Sequence, residues 1–313
     1  MTELQVDAVV GQLRTLVETH YVFPEAAADI SRLLADGLAA GRYPADAGSL
    51  AETVTADLQS VNGDKHLRLL FHADALPART PGDDSEEYAA MAQWADQTCG
   101  GVACVQRLEG NVAYLNLSPV LFPAAISGPA VTAALSLVAG ADALLLDLRG
   151  CLGGEPAMVA LVTSYLWDEE PVQLTGLRER AAGQIRQSWT LPFLPGPRFG
   201  KVKPIYVLTG PATFSGAEQL AYDLQQLGRA RVIGERTRGG ANAREAFVVH
   251  PHLVATISVA AAVSPVTGAN WEGTGVTPDV EVSAGEARDV GYQAALQDAA
   301  AARDEGRQAK MAG

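Results

Sequence analysis

Ile205-Tyr206-Val207-Leu208-Thr209-Gly210-Pro211-Ala212-Thr213-Phe214-Ser215-Gly216-Ala217-Glu218-Gln219-Leu220 joins two kinds of periodicity in one stretch. The first five residues form an apolar run of the kind buried in a sheet. From Ala217 onward, Ala217, Leu220, Ala221 and Leu224 recur at helical spacing. Ser215 therefore falls at a strand-to-helix junction, where the first amides of a helix have no intrahelical acceptor. Two roles suit a serine there. It can cap the helix, and Glu218 three residues on supplies the matching half of a capping box. Alternatively, the sharp turn lifts its hydroxyl toward a substrate while the free amides face whatever it attacks. Taken by itself the junction favours the cap, so its neighbours have to decide.

Working outward, Ala143-Leu144-Leu145-Leu146-Asp147-Leu148 is a second near-continuous apolar run, of the kind buried on both faces of a sheet. It leads into Arg149-Gly150-Cys151-Leu152-Gly153-Gly154. Adjacent glycines after a buried strand permit a tight turn and let a ligand approach the backbone closely. Their amides suit one half of an oxyanion hole, the fixed donors that stabilise charge on a carbonyl oxygen; an ordinary glycine turn explains them equally well. Val112–Leu117 and Arg231–Gly234 add strands, and Ala130–Leu137 and Met158–Leu166 add helices. This alternation predicts an α/β layered domain over 105–290. A C-terminal helix and tail follow over 291–313.

Upstream, Val6, Val9, Val10, Leu13, Leu16 and Val17 form one helical stripe, Ile30, Leu33, Leu34 and Leu38 a second, and Leu50, Val54 and Leu58 a third. They predict a small helical bundle over 1–74, which ends in an alternating strand after Asp64-Lys65-His66-Leu67-Arg68. His66 sits at the mouth of that strand. Residues 75–104, with Pro77, Pro81, Gly82, Asp83, Asp84, Glu86 and Glu87, read as a solvated connection or lid carrying a short helix around Tyr88–Trp94.

Composition narrows the function. The 313 residues carry a net charge of −13, which disfavours nucleic acid and anionic membranes as partners. No apolar run approaches the roughly 18 residues of a membrane span, and the start lacks a basic region followed by an apolar one. A soluble, cytoplasmic protein is expected. Cys99, Cys104 and Cys151 have no zinc-type spacing, so free thiols and no metal or cofactor are expected. No phosphate-loop pattern occurs.

Leu146-Asp147-Leu148-Arg149 with Gly153-Gly154, Thr213-Phe214-Ser215-Gly216-Ala217-Glu218, Gly234-Glu235-Arg236-Thr237-Arg238-Gly239-Gly240-Ala241, and Asn270-Trp271-Glu272-Gly273-Thr274-Gly275-Val276-Thr277-Pro278-Asp279 occur in that order. Together they resemble the S41 peptidases, the tail-specific and tricorn-core proteases, and most closely the branch containing interphotoreceptor retinoid-binding protein modules. Asp64–Leu69 and Trp189–Gly196 are similar to further segments of that branch. The resemblance implies a ClpP/crotonase-like α/β domain preceded by a small all-helical N-terminal domain, with the active site between them. It casts Ser215 as nucleophile and the amides of Gly216 and of Gly153 or Gly154 as oxyanion hole. The lysine base of tail-specific proteases would fall at Gly240 and is absent, so the base role passes to His66, oriented by Glu272.

Several departures accompany the match. No PDZ module is recognisable. Asn242-Ala243 and Ala261-Ala262 replace residues common in relatives, at positions expected in loops near the cleft. Cys151 beside oxyanion-type amides is either an inert small side chain or a thiol of lowered pKa. Cys151, Phe214, Asn242 and Trp271 are the candidate pocket residues. Three functions fit: a serine hydrolase acting by acyl transfer on a short peptide or small amide or ester, a tailoring enzyme of small-molecule metabolism using the same oxyanion donors, and a non-catalytic carrier of lipid or retinoid type. A small peptide or apolar small molecule is the expected partner, and self-association is compatible with all three.

Overall fold

The computed structural model of the protein describes residues 4–76, 85–180 and 183–312. Pro77, Pro81, Gly82, Asp83 and Asp84 of the acidic stretch lie outside the described residues. The chain divides into two units. One combines Met1–Asp83 with Gly176–Arg186 and Gly240–Val263, and the other combines Asp84–Thr175, Gln187–Gly239 and Ser264–Gly313. The first unit is therefore discontinuous, unlike the sequential segments 1–74, 75–104 and 105–290 that the sequence suggests.

In the first unit the three apolar stripes become α1 (Val6–His20), α2 (Pro24–Ala39) and α3 (Ala47–Ser60). Pro24 opens α2, where its missing N–H costs nothing, and Asp46 caps α3 by accepting from the Ser49 amide at 2.8 Å. The stripes converge on one core, in which Leu13, Val17, Ile30, Leu34, Leu50, Val54 and Leu58 meet Leu253, Ala255, Ile257 and Ala261. Those last residues belong to a sheet that the sequence reading did not foresee. β1 (Arg68–Phe71) pairs antiparallel with β10 (Leu253–Val263), which also pairs with β9 (Ala243–His250) and β5 (Gln173–Glu179); β6 (Ile185–Trp189) completes the order β1-β10-β5-β6. Ala243, Ala261 and Ala262 are strand residues. Their assignment to cleft loops is corrected: the run Leu253–Val263 is almost wholly buried, and continuous burial conceals the alternation that marks a strand.

The second unit holds a six-stranded sheet in the order β11-β8-β7-β4-β3-β2. β3 (Val112–Leu117), β4 (Ala143–Asp147), β7 (Ile205–Thr209), β8 (Arg231–Gly234) and β11 (Val280–Glu281) run parallel, and β2 (Val102–Leu108) is an antiparallel edge. β2 falls where the sequence suggested a polar connection. Its exposure as an edge strand explains its mixed composition. α4 (Ser85–Gln97) precedes it, and α5 (Ala124–Val138), α6 (Pro156–Tyr165) and α7 (Gly216–Gln226) follow strands in βα order. α5 starts six residues earlier than the sequence suggests, because Gly128-Pro129 interrupts the helical pattern without ending the helix. α8 (Ala287–Ala312) lays Ala287, Ala295 and Ala299 over Leu145, Tyr206, Leu208 and Ile233 on one sheet face. Leu144, Leu146, Val207 and Val232 alternate with these and are fully buried on the opposite face, as expected where helices cover both sides. Among the described residues no helix is long and apolar enough to cross a membrane.

Within this unit Asp223 of α7 is 2 % exposed and accepts from the Thr175 amide (3.1 Å) and hydroxyl (2.7 Å). Burial outweighs those bonds and pushes its carboxyl up to about 6. A carboxyl raised on folding binds its proton more tightly in the native state, so stability falls as pH rises from about 4 through 6, by about 3 kcal/mol. Urea denaturation of the wild type and Asp223→Asn across that window is expected to show this slope in the wild type alone. Parallel curves would refute the assignment.

Candidate active site

β4 and β7 are adjacent parallel strands, so the loops leaving their carboxyl ends emerge side by side, where α/β sheets carry their sites. The loop after β4 is fixed by Asp147, which is 1 % exposed. Its carboxylate accepts from the Tyr114 hydroxyl at 2.7 Å, from Arg149 Nη2 at 2.6 Å and from the Arg149 amide at 3.0 Å. Burial alone would raise this carboxyl, but the bonds from Arg149 and Tyr114 outweigh it and hold it below the ordinary range. Arg149 also donates to the Ala284 carbonyl at 2.5 Å. The Leu-Asp-Leu-Arg signature thus anchors the turn that follows.

That turn carries Gly153 (φ +126°) and Gly154 (φ +138°), both in territory that side chains avoid. It lies directly against the serine turn after β7. A Cβ placed on Gly153 would stand 3.0 Å from Ser215 Cβ, and one on Gly216 would stand 2.3 Å from the Gly154 carbonyl oxygen. The Phe214 amide donates to the Cys151 carbonyl at 3.2 Å. The amides of Gly153, Gly154 and Gly216 have no hydrogen-bond acceptor among the described residues.

Ser215 precedes α7 with φ +50° and ψ −120°. For a non-glycine residue this backbone is strained, at a cost of about 1–3 kcal/mol. An ordinary N-cap has extended backbone and no such strain. The capping-box geometry is nevertheless present, and Glu218 Oε2 accepts from the Ser215 amide at 2.8 Å. Glu218 does more than close a cap. It is fully buried, and Oε1 accepts from the Thr237 hydroxyl (2.5 Å) and the Gly239 amide (2.6 Å). The Gly239 carbonyl in turn accepts from the Gly273 amide at 3.2 Å, next to Glu272. One carboxylate thus links the serine turn to the loop that carries Glu272, and the sequence showed only its spacing. Removing Glu218 orphans two buried donors and the half-buried Ser215 amide, at about 1–3 kcal/mol for each buried one. Glu218→Ala is expected to cost at least about 3 kcal/mol in urea denaturation, and a loss below about 1 kcal/mol would show that the carboxylate is dispensable.

The remaining predicted residues fall as follows. Phe214 is half-buried beneath the Arg238 guanidinium, 4.8 Å from its ring centroid. Trp271 is buried, its ring 5.1 Å from that of Tyr222. Cys151 is fully buried, and burial pushes its thiol up to about 11 despite backbone bonds that oppose the rise. Desolvation therefore works against the low-pKa alternative and favours the buried packing role for the thiol. His66 and Asn242 belong to the first unit and share one partner, Asp64, whose carboxylate accepts from the His66 amide at 2.9 Å and from Asn242 Nδ2 at 3.0 Å.

A strained serine at a strand-to-helix turn thus stands against glycine amides that have no acceptor of their own among the described residues. The chain belongs to peptidase family S41, with residues 111–282 matching the family model and residues 2–99 matching the N-terminal domain of that family in eukaryotic IRBP. Its class is accordingly that of a serine peptidase-like hydrolase.

Solved structures share the fold at low identity. A putative peptidase from Parabacteroides merdae is 15 % identical over 94 % of this chain and 96 % of its own, with a TM-score of 0.63. The photosystem II D1 C-terminal processing protease is 16 % identical over 90 % and 94 %, with a TM-score of 0.53. Tricorn protease is 13 % identical, with a TM-score of 0.60, over 93 % of this chain but 36 % of its own.

Proposed function

We propose that the protein cleaves a short peptide or small amide or ester by acyl transfer, with Ser215 as nucleophile, His66 as general base and Glu272 as the carboxylate that orients the base. The observation that carries this reading is the strained Ser215 backbone set against the acceptor-free amides of Gly153, Gly154 and Gly216. Strain kept at one serine beside unused donors is costly for a mere cap and useful for a nucleophile.

In the first step Ser215 Oγ bonds to the substrate carbonyl carbon while its proton passes to the His66 imidazole. The carbonyl oxygen becomes an oxyanion held by the amides of Gly216 and of Gly153 or Gly154. The Ser215 amide is excluded from that hole, because Glu218 already holds it. Collapse breaks the bond to the leaving amine or alcohol, which takes the proton from His66. Water then attacks the acyl-enzyme in the same manner and frees Ser215. General-base help of this kind is worth about 10²–10⁴ in rate. With Gly240 where other relatives would place a lysine, the base function rests on the histidine.

The test is covalent. Incubation of the full chain with a fluorophosphonate, followed by peptide mapping, is expected to find the adduct on Ser215 and slow labelling in His66→Ala. An unlabelled native protein would count against the hydrolase reading.

A further inference from the structure

The linker from α3 to β1 holds its backbone through side chains. Asp64 Oδ1 accepts from the His66 amide at 2.9 Å, and the Thr256 hydroxyl donates to the His66 carbonyl at 2.5 Å. Gln59 Nε2 donates to the Leu67 carbonyl at 3.2 Å. Both main-chain polar groups of His66 are thus fixed, and a residue that merely ends a turn needs no such restraint.

Asp64 stands out further. It is fully buried, and closing the turn uses one of its oxygens. The other accepts from the Tyr21 hydroxyl at 3.1 Å and from Asn242 Nδ2 at 3.0 Å, groups that lie 43 and 178 residues away. Tyr21 is itself held, accepting from Asn62 Nδ2 at 2.7 Å. Asp64 Oδ1 also lies 4.0 Å from His66 Nδ1, so a carboxylate stands beside the imidazole without a hydrogen bond to it. Burying a carboxylate is costly, and it persists where hydrogen bonds and a nearby cation compensate it. An imidazolium formed during proton transfer is such a cation.

We propose that Asp64, locked by Tyr21 and Asn242, is a positioning residue that fixes the His66 main chain and keeps a negative charge beside its ring. The inference rests on the reading of His66 as general base. Asp64 touches no reacting atom and acts through the histidine. The sequence position of Asn242 acquires a purpose under this assignment: its amide donor joins the residue immediately before β9 to the residue that holds the base.

The test compares Asp64→Asn, Asn242→Asp and the reciprocal exchange Asp64→Asn/Asn242→Asp in the full chain. Three quantities are read: melting temperature, fluorophosphonate labelling of Ser215 resolved into a maximal rate and a half-saturating concentration, and the His66 side-chain 15N resonances. Asp64→Asn sets an amide against two donors and is expected to slow the maximal labelling rate about 10–10²-fold with half-saturation within about twofold. The exchange recreates the hydrogen bond to position 242 with its direction reversed but leaves the Tyr21 hydroxyl facing an amide, so it recovers part of the lost melting temperature, while the charge has moved off the position beside the imidazole and the rate stays low. The His66 resonances shift in Asp64→Asn and remain shifted in the exchange variant.

Labelling of Asp64→Asn at the wild-type rate, or recovery of rate and melting temperature together in the exchange, would overturn the proposal. A wild type labelled no faster than His66→Ala would instead overturn the reading of His66 as base. In that case the resonances still decide whether Asp64 sets the ring, and unchanged 15N shifts in Asp64→Asn would reject it.

Discussion

Ser215→Ala is expected to lower kcat/KM by about 10⁴–10⁶-fold, the loss seen when a serine hydrolase is deprived of its nucleophile, with a stability loss limited to about 1 kcal/mol for the serine's half of the capping box. The selectivity of the effect follows from the turn. The Glu218 carboxylate is bound to the Ser215 amide, which alanine retains. The side chain removed is one oxygen. The backbone angle of +50° remains as strained for alanine as for serine. Glycine relieves that strain, so Ser215→Gly is expected to be about 1 kcal/mol more stable than Ser215→Ala while equally inactive. Urea denaturation of the two variants beside a hydrolysis or labelling assay checks both halves. An alanine variant with activity within tenfold of wild type would remove Ser215 from the chemistry, and a glycine variant less stable than alanine would show that the angle is not strained.

The second large effect concerns the facing glycines, where two neighbouring positions should fail differently. A Cβ on Gly154 would lie 2.1 Å from the Leu121 carbonyl oxygen, a backbone atom, at a φ of +138°. No rotamer change relieves that overlap. Gly154→Ala is expected to destabilise by about 4 kcal/mol or more, among the largest single-residue losses. Gly153→Ala meets Ser215 Cβ at 3.0 Å, a clash that a small shift relieves. Its stability loss should be smaller, but the shift displaces Ser215 and the Gly153 amide proposed to hold the oxyanion, for an expected activity loss of about 10²–10³-fold. Denaturation midpoints set against labelling rates separate the two outcomes. Wild-type stability in Gly154→Ala would mean that the turn does not pack against Leu121 as described.

The parts of the fold legible in the sequence are those with a clean period. The stripes of α1, α2 and α3 were readable because each buries one face, and β4 and β7 because each is an unbroken buried run. β10 was not readable: its almost continuous burial hides any alternation of Val254, Thr256, Ile257 and Val259, and the run Ala260-Ala261-Ala262 carries no strand preference. The serine turn showed the same balance. Ser215 and Gly153-Gly154 were visible as a junction and a glycine pair, and Ser-x-x-Glu was visible as a cap. That Glu218 also reaches Thr237 and Gly239 was not, because those contacts join residues about twenty apart. The pairing of Asp64 with Asn242, across 178 residues, left no local trace at all.

The placement of β10 also bears on how the chain is made. β1 ends at Phe71, and the strand it pairs with begins at Leu253. At about 5–20 residues per second, synthesis of the intervening chain takes on the order of ten seconds or more. During that interval the N-terminal helices leave the ribosome without the strand that covers their core face. A fragment that stops before residue 253 would keep that face uncovered permanently, so the first unit matures late although its three helices are made ahead of the second unit.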